Sequence, residues 1–488
     1  MKNFFSRGGW GPQAPSRRRH LPLRFPLSSP KRTHTMDAAL LGALGRELGP
    51  GFVYDAAARD AAAKDDAGLV IPPEAVFFPA DAGDVSRLMV LAGQHGFAVT
   101  PRGAGTGLAG GCLAVAGGVV VDLSRMARIE RLDTANLCAV VQAGVVTQTL
   151  RQAAKDAGLF YPPDPASLTT CTLGGNAATN AGGPACVKYG VTRDYVLGLT
   201  AVLPDGEVVR CGTATRKGVV GYDLTGLMVG SEGTLGIITE LTVKLIPHPR
   251  QVRAAAALFP DARAAVAAVA AVMAAGVSPC ALELMDRACL GIVAELLPFD
   301  LPGPEAALLL FEADGDPDQA ARDIGRMEAV CRDGGALAVL PAENSAKREE
   351  LWGIRRQIST RIHESAPFYL SEDVAVPIAR IPDLIDALPA LGQRHGLAVY
   401  AFGHAGDGNI HVNITGEAGS RDRALALARD LIAEVLALGG TMSGEHGIGI
   451  AKRPFIDMEL SARSLSLQRG IKAAFDPAGI MNPGKVLP

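Results

Sequence analysis

The sequence predicts an α+β protein of more than one domain, in which glycine-rich loops build a ligand cleft. The chain has 488 residues, more than one ordinary hydrophobic core holds. Short β-rich runs alternate with helical stretches from about 70 to 246, and strands alternate with Ala-rich helices from 251 to 400. Glycine-rich loops are concentrated before 250 and return after 400.

The composition narrows the class of protein. A hydrophobic content of 48% with 20% charged residues is typical of a folded globular chain, and a net charge of −3 argues against a nucleic-acid partner. None of the eight cysteines forms a CxxC pair, so free thiols are expected and an iron–sulfur cluster within the chain is not. No apolar run approaches the ~20 residues that span a bilayer. We therefore expect a cytoplasmic protein, peripheral to a membrane at most.

The first 35 residues differ from the rest of the chain. They are rich in arginine, include five prolines and contain no acidic residue. Such a leader is compatible with a targeting peptide, but it has no apolar core and its prolines oppose an amphipathic helix. A disordered extension or an upstream start codon is favoured, because Met36 is followed at once by a helical pattern.

The periodicity predicts individual elements on both sides of residue 248. A helix is expected to begin at Asp37, and the apolar run from 264 to 275 is interpreted as a helix packed on a core. Strands are expected at 97–100, 118–122, 139–142, 237–246 and 307–311. Helices are expected at 262–275 and 317–332. These patterns divide the chain into a leader (1–35), a first domain (36–248), a cap domain (249–452) and a C-terminal segment (453–488).

The segment 101–111, Pro-Arg-Gly-Ala-Gly-Thr-Gly-Leu-Ala-Gly-Gly, carries the first chemical motif. Consecutive residues without bulky side chains let backbone N–H groups converge on an anion, as a pyrophosphate requires. A dinucleotide-binding Rossmann fingerprint is the alternative, and Asp122 stands near the place of its acidic residue. The GxGxG spacing, in place of GxGxxG, argues against that alternative.

Three further loops, 161–167, 172–183 and 230–236, are too rich in glycine and proline to lie inside helices or strands. With them, the chain from about 77 to its end resembles the FAD-linked oxidases of the vanillyl-alcohol-oxidase type. Within that family it is similar to the group of glycolate oxidase flavoprotein subunits, D-lactate dehydrogenases and D-2-hydroxyglutarate dehydrogenases. The resemblance implies an FAD-binding domain, an α+β cap domain and a C-terminal tail that returns to the FAD domain.

The resemblance also assigns cofactor-binding residues. Thr106 stands where some family members carry the histidine that attaches FAD covalently, so non-covalent FAD is expected. The residues implied for the pyrophosphate are Arg102, Gly103, Ala104, Gly105, Thr106 and Gly107. Those implied for the ribityl chain and ring are Pro163, Asp164, Ser167, Gly174, Gly175, Asn176, Thr179, Asn180 and Gly182. Those implied around the adenosine half and the flavin edge are Glu232, Gly233, Ile238 and Asn482.

The second motif is a cluster of imidazoles and a carboxylate in two short segments, 403–413 and 443–447. It contains His404, His411, Glu445 and His446, although the whole chain has only nine histidines. Two neutral imidazoles and one carboxylate form an incomplete ligand set for Zn²⁺, Mn²⁺ or Fe²⁺ that leaves positions open for substrate.

The resemblance gives each residue of this cluster a role. It implies His404, His411 and Glu445 as metal ligands and His446 as the catalytic base. It further implies Asn413 at the substrate and Arg355 as the group that binds the substrate carboxylate.

Together these residues predict FAD-dependent, metal-assisted oxidation of a small D-2-hydroxy acid to the 2-oxo acid, with hydride transfer to flavin N5. The hydroxyglutarate branch has a lysine after the helix that carries Arg355, whereas 362–379 here holds no Lys or Arg. D-lactate or glycolate is therefore favoured over D-2-hydroxyglutarate, which stays an alternative. An external electron acceptor is implied: a quinone, a cytochrome, an electron-transfer flavoprotein or an iron–sulfur subunit.

Two hypotheses from other classes remain open at this point. One is a metal-dependent hydrolase whose glycine loops bind a nucleotide. The other is an electron-transfer subunit or inactive paralogue, which the full set of polar residues disfavours. A yellow purified protein distinguishes a flavoprotein from the hydrolase.

Overall fold

The computed structural model describes residues 36–297, 303 and 306–488. The prediction for the leader, 1–35, lies outside the described residues. Among the described residues, no helix is both long and apolar enough to cross a membrane.

In the described part of the chain, strands form three main sheets and one short pair. In chain order they are β1 (Phe52–Val53), β2 (Ala75–Phe77), β3 (Val99–Arg102), β4 (Val119–Asp122), β5 (Ile129–Asp133), β6 (Cys138–Gln142), β7 (Leu159–Phe160), β8 (Val196–Val202), β9 (Val208–Gly212), β10 (Ile237–Lys244), β11 (Ile246–Pro247), β12 (Gln251–Phe259), β13 (Ala281–Met285), β14 (Ala307–Gly315), β15 (Ala338–Pro341), β16 (Phe368–Ala375), β17 (Ala398–His404) and β18 (Asn409–Gly416).

Helices connect and cover these strands. They are α1 (Ala38–Leu48), α2 (Ala56–Ala62), α3 (Ala82–His95), α4 (Thr147–Asp156), α5 (Leu173–Thr179), α6 (Cys186–Tyr189), α7 (Leu224–Met228), α8 (Ala262–Ala274), α9 (Arg287–Ile292), α10 (Pro317–Asp333), α11 (Ser345–Ser365), α12 (Ile381–His395), α13 (Arg421–Ala437), α14 (Ile456–Glu459) and α15 (Ala462–Phe475).

The N-terminal part holds two sheets. The first has the order β1-β2-β4-β3, in which β2, β4 and β3 are parallel. The run Val119–Val121 at its centre is fully buried, as expected for a parallel strand covered on both faces. The second sheet, β5-β6-β10-β8-β9, is antiparallel. From Thr239 onward, its strand β10 alternates between buried and half-buried residues, so one face of this part packs on the core.

A seven-stranded antiparallel sheet dominates the rest of the chain, in the order β15-β12-β14-β13-β17-β18-β16. Helices α8, α10, α12 and α13 share one apolar core with it. The Ala/Val helix α8 begins after Asp261, whose carboxylate caps it by accepting the N–H of Ala264. Val266 and Val269 of α8 are buried in this core. The prediction of a core helix rather than a membrane segment is thus confirmed.

The predicted elements are present, with shifted ends. Strand β3 lies two residues further along than 97–100, and the buried residues Phe97 and Ala98 precede it. The expected strand 237–246 divides into β10 and β11, which pair with different partners. No helix follows the glycine loop between β3 and β4, so the Rossmann alternative for 101–111 is wrong.

The C-terminal tail returns to the first sheet, as predicted. The N–H of Val99 donates to Ile480 O and the N–H of Asn482 donates to Val99 O, which places the tail beside β3. Ile480 and Met481 are buried in the core of that sheet. The exact domain limits drawn from the sequence stay a prediction.

Candidate active site

A cleft of about 540 Å³ runs along the glycine-rich loops, a size typical of a cofactor site. Segments distant in sequence form its wall, and Glu445 and His446 are part of that wall. The structure brings most of the predicted FAD residues into this wall: Arg102, Gly103, Ala104, Gly105, Thr106, Gly107, Ser167, Gly174, Gly175, Asn176, Thr179, Gly182, Glu232, Gly233 and Ile238.

The loops need glycine because they pack directly against one another. A Cβ on Gly103 would lie 2.5 Å from Thr172 Oγ1, and a Cβ on Gly174 would lie 2.5 Å from Ala143 Cβ. Gly105 has φ +76°, a conformation that residues with side chains rarely adopt. The backbone of these loops therefore forms the cleft wall, and the wall fits an extended, phosphate-bearing cofactor such as FAD.

Four of the predicted FAD residues do not line the cleft. Pro163 accepts a hydrogen bond from Arg151 through its carbonyl, and Asp164 accepts the N–H of Ala185. Asn180 ends α5 with φ 53° and accepts the N–H of Arg193, while Asn482 Nδ2 donates to the carbonyls of Gly111 and Glu232. Their contacts hold the loops together, and burial raises the pKa of the Asp164 carboxyl to about 7.

Glu232 joins the cleft to the loop 443–449. It has φ 51°, is 9% exposed, and its two carboxylate oxygens accept the N–H groups of Ile448 and Gly449 at 2.7 and 2.8 Å. Burial raises its pKa, and the two backbone donors act in the opposite direction. Its side chain thus holds the segment that follows Glu445 and His446, a contact that the sequence did not predict.

Three side-chain atoms converge beside the cleft. His404 is the last residue of β17, and His411 lies on the neighbouring strand β18. Their Nε2 atoms are 3.4 Å apart, and each lies 3.5 Å from Glu445 Oε1. Ligands placed tetrahedrally at about 2.0–2.2 Å from Zn²⁺ lie roughly 3.3–3.6 Å apart, so this triangle fits three ligands of one divalent cation.

A buried carboxylate supports the first of these ligands. Glu283 on β13 is 0% exposed, and its Oε1 contacts His404 Nδ1. This contact places the ring proton on Nδ1 and leaves Nε2 to face the triangle. Burial lowers the pKa of His404, but Glu283 and Glu445 outweigh burial and raise it well above its usual value. The imidazole is therefore strongly basic. A carboxylate that hydrogen-bonds a metal-binding histidine has this effect in general.

His411 has a different environment. Burial lowers its pKa to about 3, so the ring is neutral and suited to bind a cation. Its Nδ1 receives no hydrogen bond and lies 3.6 Å from Asp373 Oδ1. Ligand atoms of Asp373, His411, Glu445 and His446 also lie within 4.8 Å of one another. The oxygens of Asp373 already accept hydrogen bonds from Asn409, Glu445 and His446, so Asp373 is less available to a cation than His404 Nε2.

Asp373 organises the loop that carries Glu445 and His446. Its Oδ2 accepts the N–H groups of both residues at 2.8 and 2.9 Å, and its Oδ1 accepts Asn409 Nδ2 at 2.6 Å. Burial would raise the pKa of Asp373, but His446, Lys452 and His411 hold it below its usual value. The ring of His446 is stacked on that of His411, with centroids 5.4 Å apart and planes at 12°.

The two residues predicted to contact substrate are held close to this cluster. Arg355 donates through Nε and Nη2 to Glu283 Oε2 at 2.8 and 2.7 Å, and its guanidinium lies over the Phe402 ring. The remaining N–H groups of Nη1 and Nη2 can still form an end-on pair with a carboxylate. Asn413 accepts from Tyr369, while its buried Nδ2 has no partner and is available to an acceptor.

Glu283, Asp373 and Lys452 contact the site residues, although the sequence motifs did not predict them there. Lys452 is 3% exposed and donates to the carbonyls of Asp373 and Met442. A signal was present for the first residue, since a single glutamate inside the apolar strand Ala281–Met285 is unusual unless it is paired. Its partners lie far away in the sequence, so the pattern could not name them.

Comparison with known proteins gives two family matches. Residues 73–212 match an FAD binding domain, and residues 248–486 match the C-terminal domain of FAD linked oxidases. The chain is 39% identical over 417 residues to the glycolate oxidase subunit GlcD of Bacillus subtilis, covering 85% of this chain and 89% of that protein. It is 36% identical over 454 residues to a D-lactate dehydrogenase of Anaerostipes hadrus, covering 91% and 94%.

Solved structures show the same fold. An alkyldihydroxyacetonephosphate synthase has a TM-score of 0.74 at 20% identity, over 95% of this chain and 88% of that one. A p-cresol methylhydroxylase has a TM-score of 0.73 at 15% identity, over 91% and 96%. The hydrolase and electron-transfer hypotheses are not supported by these matches. The chain belongs to the FAD-linked oxidases, with the FAD-binding fold of the vanillyl-alcohol-oxidase type.

Proposed function

We propose that this protein oxidises a small D-2-hydroxy acid to the corresponding 2-oxo acid, with D-lactate or glycolate favoured. The observation that carries the proposal is the triangle of His404, His411 and Glu445, which adjoins the FAD cleft because Glu445 also lines that cleft. Relatives named glycolate oxidase subunit and D-lactate dehydrogenase support this class of substrate.

FAD held non-covalently would supply the two-electron chemistry, by accepting hydride from the carbon that bears the hydroxyl. Thr106 lines the cleft. The family resemblance puts it where some members carry the histidine that attaches FAD covalently, and a threonine does not form that bond. A divalent cation held by His404, His411 and Glu445 would lower the pKa of the substrate hydroxyl.

The chain's own residues position the substrate and remove a proton. Arg355 binds the carboxylate end-on, and Asn413 Nδ2 donates to a substrate oxygen. His446 is held by Asp373 through its backbone and by stacking on His411, and it accepts the hydroxyl proton as general base. Glu232 and Asp373 fix the loop of His446 from two sides, so that the base keeps a constant position relative to the cleft.

Each turnover would release two electrons from the substrate, which an external acceptor would have to remove. A quinone, a cytochrome, an electron-transfer flavoprotein or an iron–sulfur subunit would complete the cycle.

Anaerobic mixing with a panel of 2-hydroxy acids tests the proposal. Bleaching of the flavin absorption by D-lactate or glycolate is the expected result, with L-lactate inactive as the stereochemical control. A yellow protein that no 2-hydroxy acid bleaches would contradict the proposed function.

A further inference from the structure

Residues 182–189, the α6 segment, connect the wall of the FAD cleft with the triangle of proposed metal ligands. Gly182 lines the cleft. A Cβ on Gly182 would lie 2.6 Å from Glu445 Oε2, so the backbone at this point is in direct contact with one of those ligands. The helix α6 forms the other end of the segment. Because one turn of helix has little stability of its own, the position of α6 depends on its contacts with the rest of the chain.

The middle of the segment packs on the turn between the two histidine ligands. This turn, 405–408, joins His404 to the strand that carries His411. A Cβ on Gly406 would lie 2.6 Å from Val187 Cγ2, so Val187 is in direct contact with the turn. The α6 segment therefore touches both loops that carry the triangle. A shift of this segment would move the cleft wall relative to the ligands.

The last two residues of α6 bind one buried carboxylate on β14. Lys188 Nζ donates to Asp314 Oδ1 at 2.5 Å and to the Asp314 carbonyl at 3.0 Å, and the hydroxyl of Tyr189 donates to Asp314 Oδ2 at 2.6 Å. Asp314 is 4% exposed. Burial and the carboxylate of Asp314 raise the pKa of Tyr189, so its hydroxyl stays protonated and able to donate. Both oxygens of the carboxylate are thus engaged.

These contacts join the two parts of the chain that match different family domains. Lys188 and Tyr189 lie in the FAD binding domain, 73–212, and Asp314 lies in the C-terminal domain, 248–486. A buried ion pair contributes little net stability, because the loss of hydration offsets much of the attraction between the charges. Hydrogen bonds on both carboxylate oxygens do fix geometry, since they restrict how far the two surfaces can slide.

We propose that Asp314, Lys188 and Tyr189 anchor the α6 segment and so fix the metal triangle relative to the FAD cleft. They are positioning residues, since none of the three lines the cleft. Hydride transfer needs the reacting atoms about 3–3.5 Å apart, and a misplacement of about 1 Å can lower the rate about a hundredfold. The inference rests on the proposed function, and it predicts slower flavin reduction with unchanged substrate affinity when the anchor is broken.

Hydrogen exchange of the FAD-loaded protein tests the anchor without any substrate. Asp314→Asn keeps the volume of the side chain and removes the charge that binds Lys188. The amide protons of residues 186–190 should exchange at least tenfold faster in this variant than in the wild type, because α6 is released. Unchanged exchange at 186–190 would overturn the anchor.

Glu312→Gln is the matched control for this measurement. Glu312 lies on the same strand as Asp314 and is also 4% exposed, but its partners Arg348 and Trp352 belong to the same family domain as Glu312 itself. Its loss should leave exchange at 186–190 within twofold of the wild type. Equal acceleration in both variants would show a general loss of stability and would also overturn the anchor.

Anaerobic flavin reduction by D-lactate tests the consequence for the reaction. In Asp314→Asn the rate at saturating D-lactate should fall at least tenfold, while the concentration that gives half of the maximal rate stays within threefold. Glu312→Gln should keep the wild-type rate within twofold. A purely stabilising ion pair would lower the thermal midpoint of Asp314→Asn and leave the reduction rate of the folded, FAD-loaded protein unchanged, and that result would overturn the inference.

A second variant decides the question if Asp314→Asn loses FAD or fails to fold. Tyr189→Phe removes one hydrogen bond to Asp314 and keeps the ring that packs on Phe160. Its rate of flavin reduction should fall at least threefold, and a wild-type rate would overturn the inference. A wild-type enzyme that no 2-hydroxy acid reduces would instead contradict the proposed function, and hydrogen exchange would still decide on the anchor.

Discussion

Replacing Glu283 by glutamine isolates the electrostatic support of the proposed metal site. Glutamine keeps the volume, and its carbonyl oxygen can still accept the proton on His404 Nδ1. The negative charge is lost, and with it the interaction that raises the pKa of His404. Arg355 also loses the carboxylate that accepts its Nε and Nη2 hydrogen bonds.

The expected magnitude follows from the role of such partners. Loss of a group that hydrogen-bonds a metal ligand typically lowers metal affinity 10–100-fold, which corresponds to about 1.4–2.8 kcal/mol. Because the hydrogen bond itself can survive in Glu283→Gln, we expect a loss near the lower end of that range. The FAD content should not change, since Glu283 does not line the FAD cleft.

Competition titration of Zn²⁺ between the metal-free protein and a chelating dye measures the affinity directly. Glu312→Gln is the matched control, because Glu312 on the adjacent strand β14 is 4% exposed and is bound by Arg348 and Trp352, away from the triangle. Both variants lose a buried ion pair and should be less stable, but only Glu283→Gln should bind metal more weakly. Equal metal affinity in Glu283→Gln and wild type would refute the reasoning.

Three further predictions concern the base, the FAD cleft and stability. His446→Ala should retain FAD and lose turnover by about 10²–10⁴-fold, as stopped-flow flavin reduction will show, and near-normal reduction would assign the proton to another group. Gly174→Ala places a Cβ 2.5 Å from Ala143 Cβ, so we expect a lower flavin-to-protein absorbance ratio with unchanged metal binding. Burial raises the pKa of Asp65 from 3.8 to about 6, and its Oδ2 has no hydrogen-bond partner. At about 1.4 kcal/mol per pKa unit, ionised Asp65 lowers the free energy of unfolding by about 3 kcal/mol above pH 6. This destabilisation disappears as the pH falls towards 4, where the carboxyl is protonated in both the folded and the unfolded chain. Asp65→Asn should therefore raise the thermal midpoint at pH 8 and change it little at pH 4, whereas Asp60→Asn, at an exposed position, should change neither.

The parts of the molecule that depend on local backbone rules could be predicted from the sequence. Positions such as Gly103 and Gly174 must lack a side chain wherever loops pack this closely, so glycine clusters reveal the cleft. His404 and His411 stand close together in the sequence, and a tight turn between adjacent strands brings them together in space. The imidazole cluster can therefore be recognised from the order of residues alone.

Long-range contacts could not be predicted in the same way. Glu283 is 121 residues from His404, and Lys452 is 79 residues from the Asp373 carbonyl that it binds. No periodicity encodes such pairs, because they depend on how the strands of the seven-stranded sheet are ordered. The carboxylate of Glu232 is a similar case, since its donors lie 216 and 217 residues away.

Flavin reduction before and after metal removal tests the central claim most directly. The protein is treated with a chelator, freed of it by gel filtration, shown to be metal-free, and mixed anaerobically with D-lactate. The metal-free protein should stay yellow, and D-lactate should reduce its flavin at least about a hundredfold more slowly than in the untreated protein. Addition of Zn²⁺, Mn²⁺ or Fe²⁺ should restore the rate of flavin reduction. Full-rate reduction of the metal-free protein would contradict the assignment of His404, His411 and Glu445 to a catalytic metal.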